Sequence, residues 1–157
     1  MKYLSVLFIL GLLVSGCGSR ISVPTDGSAE KSALSTNENQ FLNLLNALRK
    51  EQGLTPLTVD PTLQATAAHH SSYMASKKIL THAEPSPNVS SSDRISNLGG
   101  SCSYSGENVA FGSTDAASLF DQWYGSSAHR ANMLSNHFQF IGVSGNRGYW
   151  TADFGGE

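Results

Sequence analysis

The sequence predicts an α+β domain in which helices cover both sides of a small, mainly antiparallel sheet. Three observations carry that prediction. Phe41, Leu44, Leu45 and Leu48 recur at helical spacing. A second helix start stands at Asp60-Pro61, with proline in the first turn. Near the end, Phe138 to Val143 and Tyr149 to Phe154 read as two strands joined through Gly145-Asn146-Arg147-Gly148. Helices with one apolar stripe and a hairpin with one apolar face each need a partner surface, and layered packing supplies it.

The chain opens on a segment that is not part of the fold. Met1-Lys2 carries a positive charge, Tyr3 to Val14 is an apolar run broken only by Ser5 and Gly11, and Ser15-Gly16 brings small side chains up to Cys17. This is the pattern of a secretory signal, its apolar run too short to span a bilayer comfortably. Val14-Ser15-Gly16-Cys17 also resembles a lipobox, the signal of bacterial lipoproteins. That resemblance implies a signal peptide over residues 1–16, lipidation of Cys17, and a protein in the bacterial cell envelope, membrane-anchored through acyl chains and facing the periplasm or the outside. Cys102 is then the only other cysteine, and the expectation is a partly buried thiol with no disulfide within the chain. Residues 17–35 are rich in Ser, Pro, Thr and Gly and read as a flexible tether. Residues 36–157 have the size of one domain. Ten Lys plus Arg stand against twelve Asp plus Glu, with no basic cluster, so nucleic acid is not an expected partner.

Within the domain, Ser35-Thr36-Asn37-Glu38 has capping-box form and starts a helix over about residues 37–52. Gly53 to Pro56 is a turn. The next helix turns Leu63, Ala67, Ser71 and Met74 to one side and fades near Lys77-Lys78. His69 and His70 lie on it as neighbours about 100° apart, so they cannot chelate one ion together, and they read as solvent-facing or core-edge residues. Thr81 to Ser105 reads as a long loop of Ser, Pro, Asn and Gly, a length that tends to be functional. Thr114-Asp115 caps a third helix over Ala116 to Tyr124, with Ala117, Phe120 and Trp123 or Tyr124 toward the core. A short helix follows around His129 to Leu134, and Val109-Ala110-Phe111 is a further, weak strand signal.

Candidate functional residues concentrate between Gly106 and Asn132, where Glu107 and His129 stand in glycine- and serine-rich surroundings, the kind of loop position that carries sites on a rigid scaffold. His82 opens the long loop that Glu107 closes. Arg94 reads as the partner of an acid, Asn132 as a backbone anchor, and Trp123 and Trp150 as core aromatics.

The ordered set Asn46-x-x-Arg49, Pro56-Leu57, Leu63 with Ala67 and Met74, His82, Asp93-Arg94-Ile95, Gly106-Glu107-Asn108-Val109-Ala110, Trp123-x-x-Ser126-x-x-His129-Arg130-x-Asn132, and Ile141-Gly142-Val143 with Tyr149-Trp150 resembles the CAP superfamily in its compact bacterial branch. The resemblance implies a three-layer α-β-α sandwich and a cleft of two histidines and two acids that in some members holds a divalent metal. Carried over, the histidines fall on His82 and His129 and the first acid on Glu107. The second acid falls on Ser126, so one carboxylate becomes a neutral hydroxyl. Two His and one Glu still form an open set for zinc or another divalent cation, with water completing the shell.

Three readings of the trio follow. One is a binding module whose cleft, lined also by Ser126 and Asn108, takes a small-molecule, lipid or protein ligand, with or without a weakly held metal. The second is a hydrolase, either metal-assisted or using Ser126 or Ser127 with His129 and Glu107, although neither serine stands in a Gly-x-Ser-x-Gly elbow. The third is a polar network that only pins the long loop to the sheet.

Overall fold

A computed structural model describes residues 34–85 and 88–157. The signal segment 1–16, Cys17 with its proposed lipidation, and most of the tether lie outside the described residues. Leu34 and Ser35 are already part of the domain, because Ser35 caps the first helix, α1 (Thr36–Glu51), in a reciprocal box with Glu38. A two-residue strand β1 (Thr58–Val59) leads into α2 (Pro61–Lys77), where the Asp60 carboxylate accepts from the amides of Thr62 and Leu63. Then come α3 (Ser91–Asn97), β2 (Tyr104–Phe111), α4 (Ala116–Gly125), α5 (Ser127–Met133), β3 (Phe140–Asn146) and β4 (Tyr149–Gly156).

The sheet runs β1-β3-β4-β2. β4 is antiparallel to both neighbours, and β1 is parallel to β3, so the sheet is mixed although antiparallel pairing dominates. The β3–β4 connection narrows to Arg147-Gly148, both with positive φ, which is the twist a two-residue hairpin turn requires.

Alternation along the strands separates the two outer layers. Ile141, Val143, Trp150, Ala152, Phe154 and Ala110 face Phe41 and Leu45 of α1, Leu119 and Trp123 of α4, and Met133 of α5, forming the main core. Phe41 meets the Trp123 ring edge-on at 5.1 Å. The opposite face carries Val109 and Tyr149 against Met74 and Ala75 of α2. There α2 lies almost on the backbone of β3: a Cβ on Gly142 would come within 2.0 Å of the Leu63 carbonyl carbon. Gln64 secures the approach, its amide exchanging two hydrogen bonds with the Val143 main chain at 2.8 and 2.9 Å.

Four expectations are corrected. The stretch 81–105 is not one loop: Ser90 and Asp93 form a capping box that starts α3, and Tyr104 already belongs to an eight-residue β2. In α4 the buried face is Ala116, Leu119 and Trp123, while Ala117 and Tyr124 are exposed, a rotation of one residue from the expected phase. His70 is fully buried rather than at the core edge. Cys102 is disulfide-bonded rather than a thiol.

Candidate functional site

Glu107 sits in mid-strand on β2, an edge strand of the sheet, on the face turned toward α2. Directly across the strands lie Asp153 and then Gly142. Because Gly142 lets α2 approach so closely, the polar side chains of this row are enclosed: Glu107 has 5% of its side chain exposed and Asp153 none. A buried carboxylate needs partners, and Glu107 has them. Oε1 lies 2.8 Å from His82 Nδ1, Oε2 accepts from Arg94 Nη2, and His70 Nε2 stands 3.9 Å away. Arg94, on α3, also donates to the carbonyls of His82 and Val89, so one guanidinium ties α3, the preceding loop and β2 together.

A second acid, Glu84, extends the network. It takes His69 Nε2 at 3.2 Å and His70 Nδ1 at 2.9 Å. His70 Nε2 lies 2.8 Å from the Thr81 carbonyl, which can only accept, so that nitrogen carries its hydrogen. Its other nitrogen, Nδ1, faces the Glu84 carboxylate. Burial works against the Glu84 charge, but the hydrogen bonds from His70 and His69 outweigh it and hold this carboxyl below its ordinary range.

His82, like His69, stands on the open side of the network, with 62% of its side chain exposed. The hydrogen bond to Glu107 raises its pKa against a lesser opposing effect of burial. With Nδ1–H donating to the carboxylate, Nε2 makes no hydrogen bond among the described residues and faces outward.

His129 arrives from the other layer. Its backbone is positioned by an amide chain in which Asn132 Nδ2 donates to Asn108 Oδ1 at 2.8 Å and to the Glu107 carbonyl at 3.1 Å, while Asn108 Nδ2 donates to the His129 carbonyl at 3.1 Å. Burial lowers its pKa, and the charge of His82 lowers it further. His129 Nδ1 is buried without a hydrogen-bond partner. No hydrogen bond among the described residues joins Ser126 to His129, and Ser126 stands at the start of α5 without a side-chain cap bond. No group of three or more His, Cys, Asp and Glu among the described residues is arranged to hold a metal ion.

Of the sequence candidates, His82 and Glu107 are in direct contact, Asn108 holds the His129 backbone, and Ser126 contacts none of them by hydrogen bond. Sequence reasoning missed Glu84, His70 and Asp153. Asp153 carried a readable signal, a lone carboxylate between Ala152 and Phe154 in an apolar strand. Burial, reinforced by the nearby charge of Glu107, pushes it up to about 7, while Ser91 Oγ donates to it at 2.6 Å.

Residues 42–154 match the family described as Cysteine-rich secretory protein family, CAP. The uncharacterized protein YkwD of Bacillus subtilis is 35% identical over 132 residues, which is 80% of this chain but 49% of that protein, so the chain spans about half the length of this relative. An extracellular protein with an SCP domain from Bacillus anthracis superposes with a TM-score of 0.72 at 24% identity, over 80% of this chain and 45% of that one. An outer surface protein of Borrelia burgdorferi does so with 0.70 at 20% identity, over 79% and 96%. At these identities the two structures speak for the fold alone. With the family match covering most of the sheet and four of the five helices, the chain belongs to the CAP, or cysteine-rich secretory protein, family.

Proposed function

We propose that this is a bacterial CAP-domain protein exported to the cell envelope, where the cleft between His82 and His129 binds a ligand. The observation that carries the reading is the contrast within one hydrogen bond: a carboxylate almost wholly enclosed holds an imidazole that is mostly open to solvent. A recognition group needs an oriented ring with a free nitrogen, and the His82 ring, fixed through Nδ1 by Glu107, leaves Nε2 for that part. Anchoring through acyl chains on Cys17 belongs to this reading. The intact mass of membrane-extracted protein reports whether the acyl chains are present.

A divalent ion fits this cleft only in a limited way. Both oxygens of Glu107 are engaged, by His82 and Arg94, so the carboxylate acts behind the imidazole rather than as a ligand. His82 Nε2 and the His129 ring would hold the ion, and water would complete its shell. Two nitrogens make a weak site, and protons compete for them. Titrating zinc into the full chain is therefore expected to raise the melting temperature at pH 8 more than at pH 6, and His82→Ala and His129→Ala to remove the rise. Native mass spectrometry without chelator reports any copurified organic ligand. An unchanged melting curve in all proteins, together with no copurified mass, would leave the cleft without a ligand.

The second reading, hydrolysis outside the cytoplasm, is favoured by the His82 tautomer alone, since a ring whose Nδ1–H is held by a carboxylate presents Nε2 as a base. Turnover of ester or peptide chromogens, lost in His82→Gln, would support it.

A further inference from the structure

Where the start of α1, the loop into α4 and the β3–β4 turn meet lies a cavity of about 320 Å³ that shares no lining residue with the His82 network. Its floor is fixed. The Trp150 indole donates to the Ser113 carbonyl at 2.8 Å, and the Ser113 hydroxyl donates to Gln122 Oε1 at 2.7 Å. Glu38 is not in the lining, and its two oxygens are already taken by the Ser35 and Gly145 amides. The rim is not fixed. Asn37 Nδ2 reaches the Thr114 carbonyl and Thr114 Oγ1 reaches Asp115 Oδ2, both at 3.5 Å, beyond the usual hydrogen-bond length. Arg147 stands exposed at the turn, and its guanidinium makes no ion pair or hydrogen bond among the described residues. Among the described lining residues it is the only one that carries a charge.

We propose that this cavity binds a sugar acid, a saccharide unit whose single carboxylate pairs with Arg147 and whose hydroxyls bond to Asn37 and Thr114. Three features select that class. One unpaired guanidinium matches one carboxylate, which it takes through two parallel N–H bonds, and no second cation lines the cavity for a dianion. The Asn37 amide and the Thr114 hydroxyl hold only long bonds, and ligand hydroxyls, which both donate and accept, satisfy either group. The volume lies at the small end of ligand sites and suits one ring. A hydrocarbon body is disfavoured, because it would strip water from the same polar groups without replacing their bonds. The His82 cleft plays no part here, so either proposal can fail without the other.

Galacturonate is a suitable probe, with galactose as its uncharged counterpart. When galacturonate is added to the full chain and followed by NMR, the Trp150 Nε1–H, Asn37 side-chain amide and Gly148 amide signals are expected to shift and saturate. Galactose should bind at least about tenfold more weakly, since it leaves the guanidinium without its anion. Arg147→Gln, at an exposed turn position, should bring galacturonate down to the level of galactose, and Arg147→Lys should restore part of the difference. Lys78→Gln removes an equal charge from an exposed residue outside the cavity, also at positive φ, and should leave binding unchanged. Trigalacturonate separates two sources of the same chemistry: tighter binding than the monomer assigns the site to the end unit of a polymer, equal or weaker binding to the free acid. The proposal is overturned if no signal saturates, if galactose binds as tightly as galacturonate, if Arg147→Gln binds like the parent chain, or if Lys78→Gln weakens binding as much as Arg147→Gln does.

Discussion

Asp153 shows how much one residue's surroundings decide. Its carboxyl is fully enclosed, one strand away from Glu107, and titrates near 7 instead of near 3.8. A raised carboxyl means that the folded protein binds more protons than the unfolded chain between those two values, so this residue's contribution to stability falls as pH rises through that window. Asp153→Asn keeps the shape, still accepts from Ser91, and removes the charge. Its melting temperature is expected to exceed the parent's by at least about 3 °C at pH 8 and to match it at pH 5, read by thermal unfolding at both values. His82, also raised, adds in the same sense: its bond to Glu107 contributes fully below about 6.5 and is lost above its folded value. His82, Glu107 and His129 could be picked out beforehand because titratable side chains are scarce in loops of Ser, Gly and Asn. Glu84 and His70 could not, since their roles depend on a helix face and a turn meeting in space, and nothing in their local sequence encodes that meeting.

Among the elements, the contact between α2 and β3 sets the position of everything above it. Gly142 sits under the Leu63–Gln64 peptide, with 2.0 to 2.2 Å left for a Cβ, and the obstacle is backbone, which cannot rotate aside. Gly142→Ala should therefore lower stability by about 2 kcal/mol or more in urea unfolding, and the tilt it forces on α2 should also disturb the His70–Glu84 contact. The termini of the helices were readable because capping chemistry is local: Ser35 with Glu38, Asp60 before Pro61, and Asp115 all act as expected. The same chemistry at Ser90 and Asp93 was overlooked, because the serines and glycine around it mimic a loop. The phase of α4 was misjudged because Leu119 and Phe120 are adjacent and each fits a helical stripe. Only the partner surface, with Phe41 against Trp123, selects between them. β2 was hard to see because Ser105, Gly106, Glu107 and Asn108 serve the site rather than a core.

Across the whole molecule, Arg49 links parts of the chain far apart in sequence. It is 1% exposed and donates to four main-chain carbonyls, those of Thr55, Met133, Ser135 and Phe138, at 2.9 to 3.1 Å. Burial lowers its pKa. Arg49→Met would leave those carbonyls without donors, and a loss of more than about 3 kcal/mol is expected, with Arg49→Lys recovering only part because an ammonium cannot span the same fork. Denaturant unfolding of both variants checks this. The arrangement of layers was visible from periodicity and turn residues. The strand order was not, because it follows from long-range register.

That order has a consequence for how the domain comes into being. β4, flanked on both sides, follows all the other strands along the chain. Until β4 is in place, β2 and β3 have no strand between them and the sheet cannot close, so the two helical layers gain a common surface only when the last of the described strands has joined.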